Sequence, residues 1–419
     1  MKPVASVNVL GLGYIGLPTA AVLATSGVAV HGVDVNRATA DAVAAGHVPF
    51  AEPDLSELVA GAVASGSLTA GVEPGVADAH ILAVPTPVAE DRTPNLSFVR
   101  AATGMIASVL KAGDLVIVES TVPPGTTESV ARQLAGLRPD LVGVDGVLDV
   151  DLAHCPERVL PGRIVAEITS NDRIVGGVTP AAAARARELY ARFCRGEIRV
   201  TDARTAELTK LVENSYRDVN IAFANELSVV ADALAVDVWE LISLANRHPR
   251  VSILQPGPGV GGHCIAVDPW FIVDSAPALT PLIRTAREVN DAKPNWVIEQ
   301  VRVAAAGRPG ATIATLGLTF KPNVDDLRGS PAVQIVAGIA ATMPDAAILA
   351  VEPHIAALPP ELAGLAQVSL TGFEDAVSSA DIVVLLVDHR AFRETDATAL
   401  GLPDRILIDT RGTWRVRSE

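Results

Sequence analysis

Cysteine is scarce in this chain, with only Cys155, Cys194 and Cys264 among 419 residues. So small and odd a number excludes a disulfide scaffold and points to a reducing compartment. Metal-ligand spacing is also lacking. No C-x-x-C or H-x-x-x-H occurs, and His263 beside Cys264 does not complete a tetrahedral set, so no metal is expected. The G-x-S-x-G elbow of serine hydrolases is missing. Basic residues are outnumbered, 33 Lys and Arg against 48 Asp and Glu, for a formal net charge of -15. That balance argues against nucleic acid or an anionic membrane as a partner. No apolar run is long enough to span a bilayer. The N-terminal stretch carries one basic residue, and Gly11, Gly13, Gly16 and Pro18 interrupt it, so it does not read as a signal peptide. A soluble cytoplasmic protein is expected.

What is present is abundant apolar residue, 49% of the chain, enough for large buried sheets. A chain this long exceeds one compact core, so two or three domains are expected. Residues 1–200 alternate short β-rich runs ("ASVNVLGLG", "VAVHGVDV", "AHILAVPTP", "DLVIVESTVPPG") with alanine-rich helical runs. These runs are too continuously apolar for a one-sided sheet, so βαβ units and a parallel sheet follow. Residues 201–300 form a central helical domain. Its stretch "TAELTKLVENSYRDVNIAFANELSVVADALA" has no Gly or Pro, and Leu208, Leu211, Val212, Val219, Phe223, Leu227 and Val230 recur at helical spacing. Residues 301–419 return to strand patterns in "ATIATLGLTF", "AAILAVEPH", "ADIVVLLVDH" and "RILIDTRG". The fold class is therefore α/β, with two doubly wound Rossmann-like domains joined by a helical one. Such proteins use the carboxyl ends of their strands to bind ligands.

Gly11-Leu12-Gly13-Tyr14-Ile15-Gly16 matches G-x-G-x-x-G, follows a strand and opens a helical run. In that context it reads as a dinucleotide fingerprint, with the helix N-terminus facing a pyrophosphate. Asp34 ends the next strand and would accept from the adenosine ribose, so NAD is preferred to NADP. Arg37 could cover the adenine. Thr86 in "AVPTPV" and Thr121 in "ESTVPPGTT" stand at two further strand ends, as ligand contacts or ordinary turn residues. Glu157 and Arg158 in "HCPERVLPGR" read as a general base with a neighbour, or as surface charge; Cys155 reads as core. Lys210, Asn214 and Arg217 share one helix face, either solvated or oxyanion-directed. Arg247, His248 and Arg250 precede a glycine loop, and Lys321 and Arg328 lie at a later strand end. Basic residues gathered there suit a ligand carrying phosphate.

That glycine loop, "PGPGVGGHC", raises the question of Cys264. A lone cysteine is usually a small buried hydrophobe. A backbone of Gly257, Gly259, Gly261 and Gly262 is instead suited to wrapping closely around a ligand.

Together these segments resemble the nucleotide-sugar 6-dehydrogenases, the UDP-glucose and GDP-mannose dehydrogenase family. GLGYIG, ESTVPPGT, CPER, the TAELTKLVENSYRDVNIAFANE helix, PGxGxGGHCIAVDP and FKPNxDDLRxSP occur in order over nearly the whole chain. "CPERVLPG" and "LANRHPRVSILQPGPGVGGHCIAVDPWFIV" are most similar to members acting on UDP-N-acetylmannosamine. The resemblance implies oxidation of the sugar carbon 6 alcohol to a carboxylate with two NAD+; UDP-N-acetylglucosamine, UDP-glucose and GDP-mannose are the alternative substrates. It implies Cys264 as nucleophile, and Lys210 and Asn214 holding the reacting oxygen and a water. Glu157, Thr121 and Asp268 would assist water and proton handling. Cofactor contacts would come from Gly11, Gly13, Tyr14, Ile15, Gly16, Asp34, Arg37, Thr86, Thr121 and Arg328. Substrate contacts would come from Glu157, Arg158, Val159, Lys210, Asn214, Arg217, His248, Arg250, Gly261, Phe320 and Lys321, with His248 and Arg250 reaching from a neighbouring subunit. Gly329 stands where the resemblance leads one to expect Glu, a departure that would affect a local salt bridge and not the chemistry. A homodimer or dimer of dimers built on residues 201–295 is expected.

Overall fold

The computed structural model describes residues 3–414 except 51, 90, 161, 397, 399, 400, 403 and 404. Ser6–Leu10 forms β1, and four of its five residues are buried. A strand so enclosed needs cover on both faces, the condition of a parallel sheet flanked by helices. The first sheet is built from β1, β2 (Ala29–Val33), β3 (Leu68–Gly71), β4 (Ala79–Leu82), β5 (Asp114–Val118), β6 (Val150–His154), β7 (Arg173–Gly177) and β8 (Ile198–Asp202). Its order is β3-β2-β1-β4-β5-β6-β7-β8. Pairing is parallel from β3 to β6. Chain direction in the sheet order reverses between β1 and β4, the switch point where doubly wound folds take ligands. β6 and β7 pair antiparallel, a departure from the all-parallel expectation, and β7 and β8 are parallel again. Helix Gly16–Thr25 is buried along nearly all its length, which its small residues permit against β1.

A smaller sheet follows the same plan, with order β11-β10-β9-β12-β13. Its strands are β9 (Thr312–Leu316), β10 (Ala347–Val351), β11 (Val368–Leu370), β12 (Ile382–Leu385) and β13 (Ile406–Asp409), all parallel. β3, β6, β7, β8 and β11 were not among the strands read from the sequence, and β3 and β11 are only four and three residues long.

Between the sheets in sequence, Ala203–Ala233 is one uninterrupted helix of 31 residues. Leu211 is buried, yet Leu208, Val212, Phe223 and Val230 are all exposed in the single chain. The inward face is unexpectedly polar: Glu207, Asn214, Asp218, Asn225 and Ser228 are buried at helical spacing. The chain divides into two compact units, Met1–Glu213 with Trp270–Pro277, and Asn214–Pro269 with Ala278–Glu419. The division falls within this helix. No helix among the described residues is long and apolar enough to cross a membrane.

Candidate active site

In the first unit the fingerprint glycines differ in what surrounds them. Gly11 has φ +94°, donates its N–H to the Val33 carbonyl, and a Cβ on it would stand 2.5 Å from the Ala83 oxygen. A Cβ on Gly16 would strike the Gly11 carbonyl, whereas one on Gly13 would meet nothing within 4 Å. Gly13 therefore borders open space at a helix N-terminus, as a pyrophosphate site requires. The Asp34 carboxylate is fixed by two backbone donors, Leu12 N at 2.9 Å and Asn36 N at 2.9 Å. It is thus a preset, half-exposed acceptor beside the loop, which suits a ribose. Tyr14 stacks on Phe50, Ile15 caps the helix and Arg37 is exposed at the start of the next one. These residues fit a dinucleotide.

Thr86 and Thr121 are half-buried on the loops that follow β4 and β5. Ser120 ties those loops together by donating to the Leu82 and Val84 carbonyls. Glu207 locks the Thr121 loop onto the long helix, one turn before Lys210. It accepts from Gly125 N, Thr127 N and the Thr127 hydroxyl at 2.5–2.7 Å, at the N-terminus of helix Thr126–Leu137. Burial raises its pKa above the ordinary carboxylate value despite those donors. Lys210 itself is half-buried.

Glu157 is not the solvated charge that its sequence context allowed. It is buried, paired with Arg173 at 2.7 Å, and it accepts from Arg158 N at 2.7 Å. The Arg158 guanidinium is engaged by Glu213 at 2.8 Å. Val159 packs partly against the sheet core. Cys155 is fully buried, and desolvation pushes its thiol up to about 12, so it is core as expected.

In the second unit, Cys264 is exposed. Its carbonyl accepts from Asp268 N at 2.9 Å, so the two residues span one tight turn leading into helix Asp268–Ser275. The buried Asp268 carboxylate accepts from the Asn214 amide at 2.5 Å. Three candidate residues thereby lie on one short stretch of contacts. Arg217 is a correction to the predicted face: it is exposed, and Asp218, one residue later, continues the inward stripe. The long helix winds 3.6 residues per turn, so a polar stripe from 214 can follow 217 or 218, and burial selects 218.

The glycine loop is held by groups that sequence reasoning missed. Asn225 accepts from Gly257 N at 2.8 Å and donates to Asn290 at 2.8 Å. Asn290 donates to Asp218 at 2.8 Å, and the buried Arg287 pairs with Asp218 and reaches the Ile265 carbonyl. Desolvation raises Asp218 to about 6. Asn and Asp recurring inside a long helix was the only available signal, since such residues are poor in helix interiors unless partnered.

Gly262, at φ +84°, lies against Phe320, and a Cβ there would come within 2.9 Å of the ring. Gly261 abuts the Gly329 carbonyl, and Gly329 has φ +61°, a conformation that favours glycine. The Phe320–Lys321 loop is pinned by Glu352 and His389. Glu352 accepts from Leu318 N, Thr319 N and His389 Nε2, while His389 Nδ1 accepts from Asn323 N. Glu352, His354 and His389 are the one His/Cys/Asp/Glu trio among the described residues with donor atoms mutually within 4.8 Å. Tertiary structure assembles that trio with no metal-binding spacing in the sequence, and the Glu352 carboxylate and the His389 ring are engaged in loop hydrogen bonds. Arg328 forms a two-point pair with Asp326. His248 and Arg250 are exposed.

Family models for the UDP-glucose/GDP-mannose dehydrogenase family match three stretches: the NAD-binding domain at 5–194, the central domain at 204–292 and the UDP-binding domain at 314–416. The chain belongs to this family. Members are NAD-dependent nucleotide-sugar dehydrogenases, and so is this enzyme. An NDP-N-acetyl-D-galactosaminuronic acid dehydrogenase of Ralstonia nicotianae is 54% identical over 98% of this chain and 97% of its own. A UDP-N-acetyl-D-mannosamine dehydrogenase of Escherichia coli is 51% identical over 98% and 99%. Among solved structures, a UDP-D-ManNAc dehydrogenase from Pyrococcus horikoshii superposes with TM-score 0.87 at 37% identity, covering 98% of this dehydrogenase and 96% of that chain. The α/β architecture with Rossmann-like sheets at both ends is therefore that of the family.

Proposed function

We propose that the enzyme oxidises UDP-N-acetyl-D-mannosamine at carbon 6 to the uronate, a four-electron reaction that passes through a covalent adduct on Cys264. The observation that carries this reading is the exposed Cys264, one turn from an Asp268 carboxylate hydrogen-bonded to Asn214. NAD+, when bound, supplies the hydride acceptor for both oxidations. In the first, the carbon 6 alcohol loses its hydroxyl proton and a hydride to become an aldehyde. The Cys264 sulfur then adds to the aldehyde carbon, and the thiohemiacetal loses a second hydride and a proton to become a thioester. Water adds to the thioester carbon, the carbon–sulfur bond breaks, and the carboxylate leaves with the thiol restored. Lys210 offsets the negative charge on the reacting oxygen in each step. Asn214 orients water, and Glu157, Asp268 and Thr121 handle the proton it gives up. Phe320 and Lys321 hold the nucleotide; Gly11, Gly13, Gly16 and Asp34 hold the cofactor.

Residues 1–200, 201–300 and 301–419 would act as cofactor, assembly and nucleotide-sugar domains. The exposed Leu208, Val212, Phe223 and Val230, with Leu234, Leu241 and Leu244 beyond them in sequence, support a homodimer or dimer of dimers built on residues 201–295. The same assembly would give the exposed His248 and Arg250 a neighbour's site to enter.

The 54% identity to the N-acetylgalactosaminuronic acid dehydrogenase favours a second reading, with the corresponding N-acetylgalactosamine nucleotide as substrate. Both readings are tested by NADH formed per nucleotide sugar consumed, across UDP-linked N-acetylmannosamine, N-acetylgalactosamine and N-acetylglucosamine, UDP-glucose and GDP-mannose. Two NADH with the mannosamine compound preferred is expected. Two on another sugar corrects the substrate, and a Cys264→Ser variant with full turnover to acid refutes the covalent route.

A further inference from the structure

Beneath Glu157 lies a set of buried groups that the reaction above does not use. Arg173, on β7, is 3% exposed and sends Nη2 to Glu157 at 2.7 Å. Its Nη1 lies 3.9 Å from Glu119, a residue only 1% exposed at the end of β5. Glu119 is in turn gripped by neutral donors, the Thr19 hydroxyl at 3.1 Å and the Tyr190 hydroxyl at 3.1 Å. Aromatic rings flank the guanidinium, with Tyr190 at 4.8 Å and Phe193 at 5.2 Å from ring centre to Cζ. Each of these groups is at most 9% exposed, and Glu119 and Arg173 are at most 3%. A guanidinium enclosed in this way has one purpose that its geometry explains, which is to fix a carboxylate whose other face is needed.

We propose that Arg173 is a positioning residue of this enzyme, and that Glu119, Arg173 and Glu157 form a buried carboxylate–guanidinium–carboxylate chain that aims Glu157. The inference rests on the proton-handling role given to Glu157 above. One cation cannot fully offset two buried carboxylates, and here the distances are unequal. Glu157 has the short hydrogen bond, while Glu119 has the longer approach and two hydroxyl donors. Burial and the Glu157 charge raise Glu119 to about 8, against the opposing pull of Arg173. Glu119 therefore keeps its proton at neutral pH, and Glu157 is the carboxylate nearest the guanidinium, whose further bonds go to the Ile168 carbonyl and Cys155 Sγ. Above pH 8 Glu119 ionises, competes for Arg173, and loosens Glu157.

The groups facing Glu119 from each packed element are Thr19, Tyr190, Arg173, Cys155 and Glu157. Burial holds the Cys155 thiol up to about 12 and the Tyr190 hydroxyl well above its usual value, so neither ionises in the range of interest. Sequence offered no hint of this chain, since Glu119 and Arg173 lie 54 positions apart and their strands β5 and β7 meet only through β6.

The test compares Glu119→Gln, Arg173→Lys, Arg173→Met and Glu157→Gln by steady-state kinetics of acid formation between pH 6.5 and 9.5. Glu119→Gln copies the protonated acid, so its kcat should match wild type at pH 7 and exceed it at least threefold at pH 9.5. Arg173→Met should lower kcat by about 10²-fold, the scale of a 1 Å misplacement, with little change in KM. Arg173→Lys should recover part of that loss. A Glu119→Gln to wild-type ratio flat across the range overturns the chain, even if Arg173→Met does not fold. An active Arg173→Met beside an inactive Glu157→Gln overturns the role of Arg173 alone. Full activity in Glu157→Gln instead removes the proton-handling role of Glu157, a failure of the functional reading rather than of the contacts.

Discussion

Replacing Asn225 with Leu tests how the Cys264 loop is held. Leucine keeps the branched heavy-atom skeleton of asparagine with bulkier methyl groups in place of the amide, so water gains no new space. What is lost is the acceptor for Gly257 N and the donor to the Asn290 carbonyl oxygen, both at 2.8 Å within buried surroundings. A buried polar group left without a partner costs ~1–3 kcal/mol, so two such groups predict a loss of about 2–6 kcal/mol. The lower half of that range applies if water reaches Gly257 from the adjoining cavity of about 230 Å³ lined by Ser228, Gly257 and Lys293. Urea unfolding followed by intrinsic fluorescence measures the loss. Alkylation of Cys264 by a small iodoacetamide reagent measures the loop, and should accelerate. A destabilisation under about 1 kcal/mol with unchanged alkylation would refute the anchoring role, because two orphaned groups cannot cost so little.

Gly262→Ala puts a Cβ 2.9 Å from the Phe320 ring at φ +84°. The left-handed conformation alone costs ~1–2 kcal/mol, so KM for the nucleotide sugar should rise about 5–30-fold; an unchanged KM would contradict the contact. Lys293 is buried, desolvated to about 7, and bonded to Ser228 at 2.7 Å. Its folded pKa lies below its unfolded value, so the unfolded chain binds more protons between pH 7 and about 10.5, and stability rises with pH across that window. Lys293→Met should therefore gain most relative to wild type near pH 7 and lose that advantage by pH 10, as followed by melting temperature. Phe223→Asp, in the exposed apolar face of the long helix, should give a monomer in sedimentation at micromolar concentration. An undisturbed oligomer would move the interface elsewhere.

Local patterns were enough for much of this protein. Gly11, Gly13 and Gly16 after an apolar strand announced the dinucleotide loop, because the tight strand-to-helix turn tolerates no side chain at Gly11 or Gly16 and Gly13 leaves room beside the backbone. The four buried strands β1, β2, β4 and β5, and the 31-residue helix, were likewise legible, since hydrophobic runs and period are properties of adjacent residues. Cys264 stood out by its setting among glycines. Short strands such as β3 and β11 were hidden, as each buries a single residue and is too short to show a period. Which side of the long helix would turn inward was also undecided: its apolar residues suggested one face, and the structure buries Asn214, Asp218 and Asn225 instead. Polar groups can go inward only when partners wait there, and those partners, Asp268, Arg287 and Asn290, come from segments about 50 to 70 residues away. The sequence alone determined the chemistry that the side chains bring. Tertiary structure decided which carboxylates meet a guanidinium, because hydrogen bonds depend on distances that only the folded chain sets.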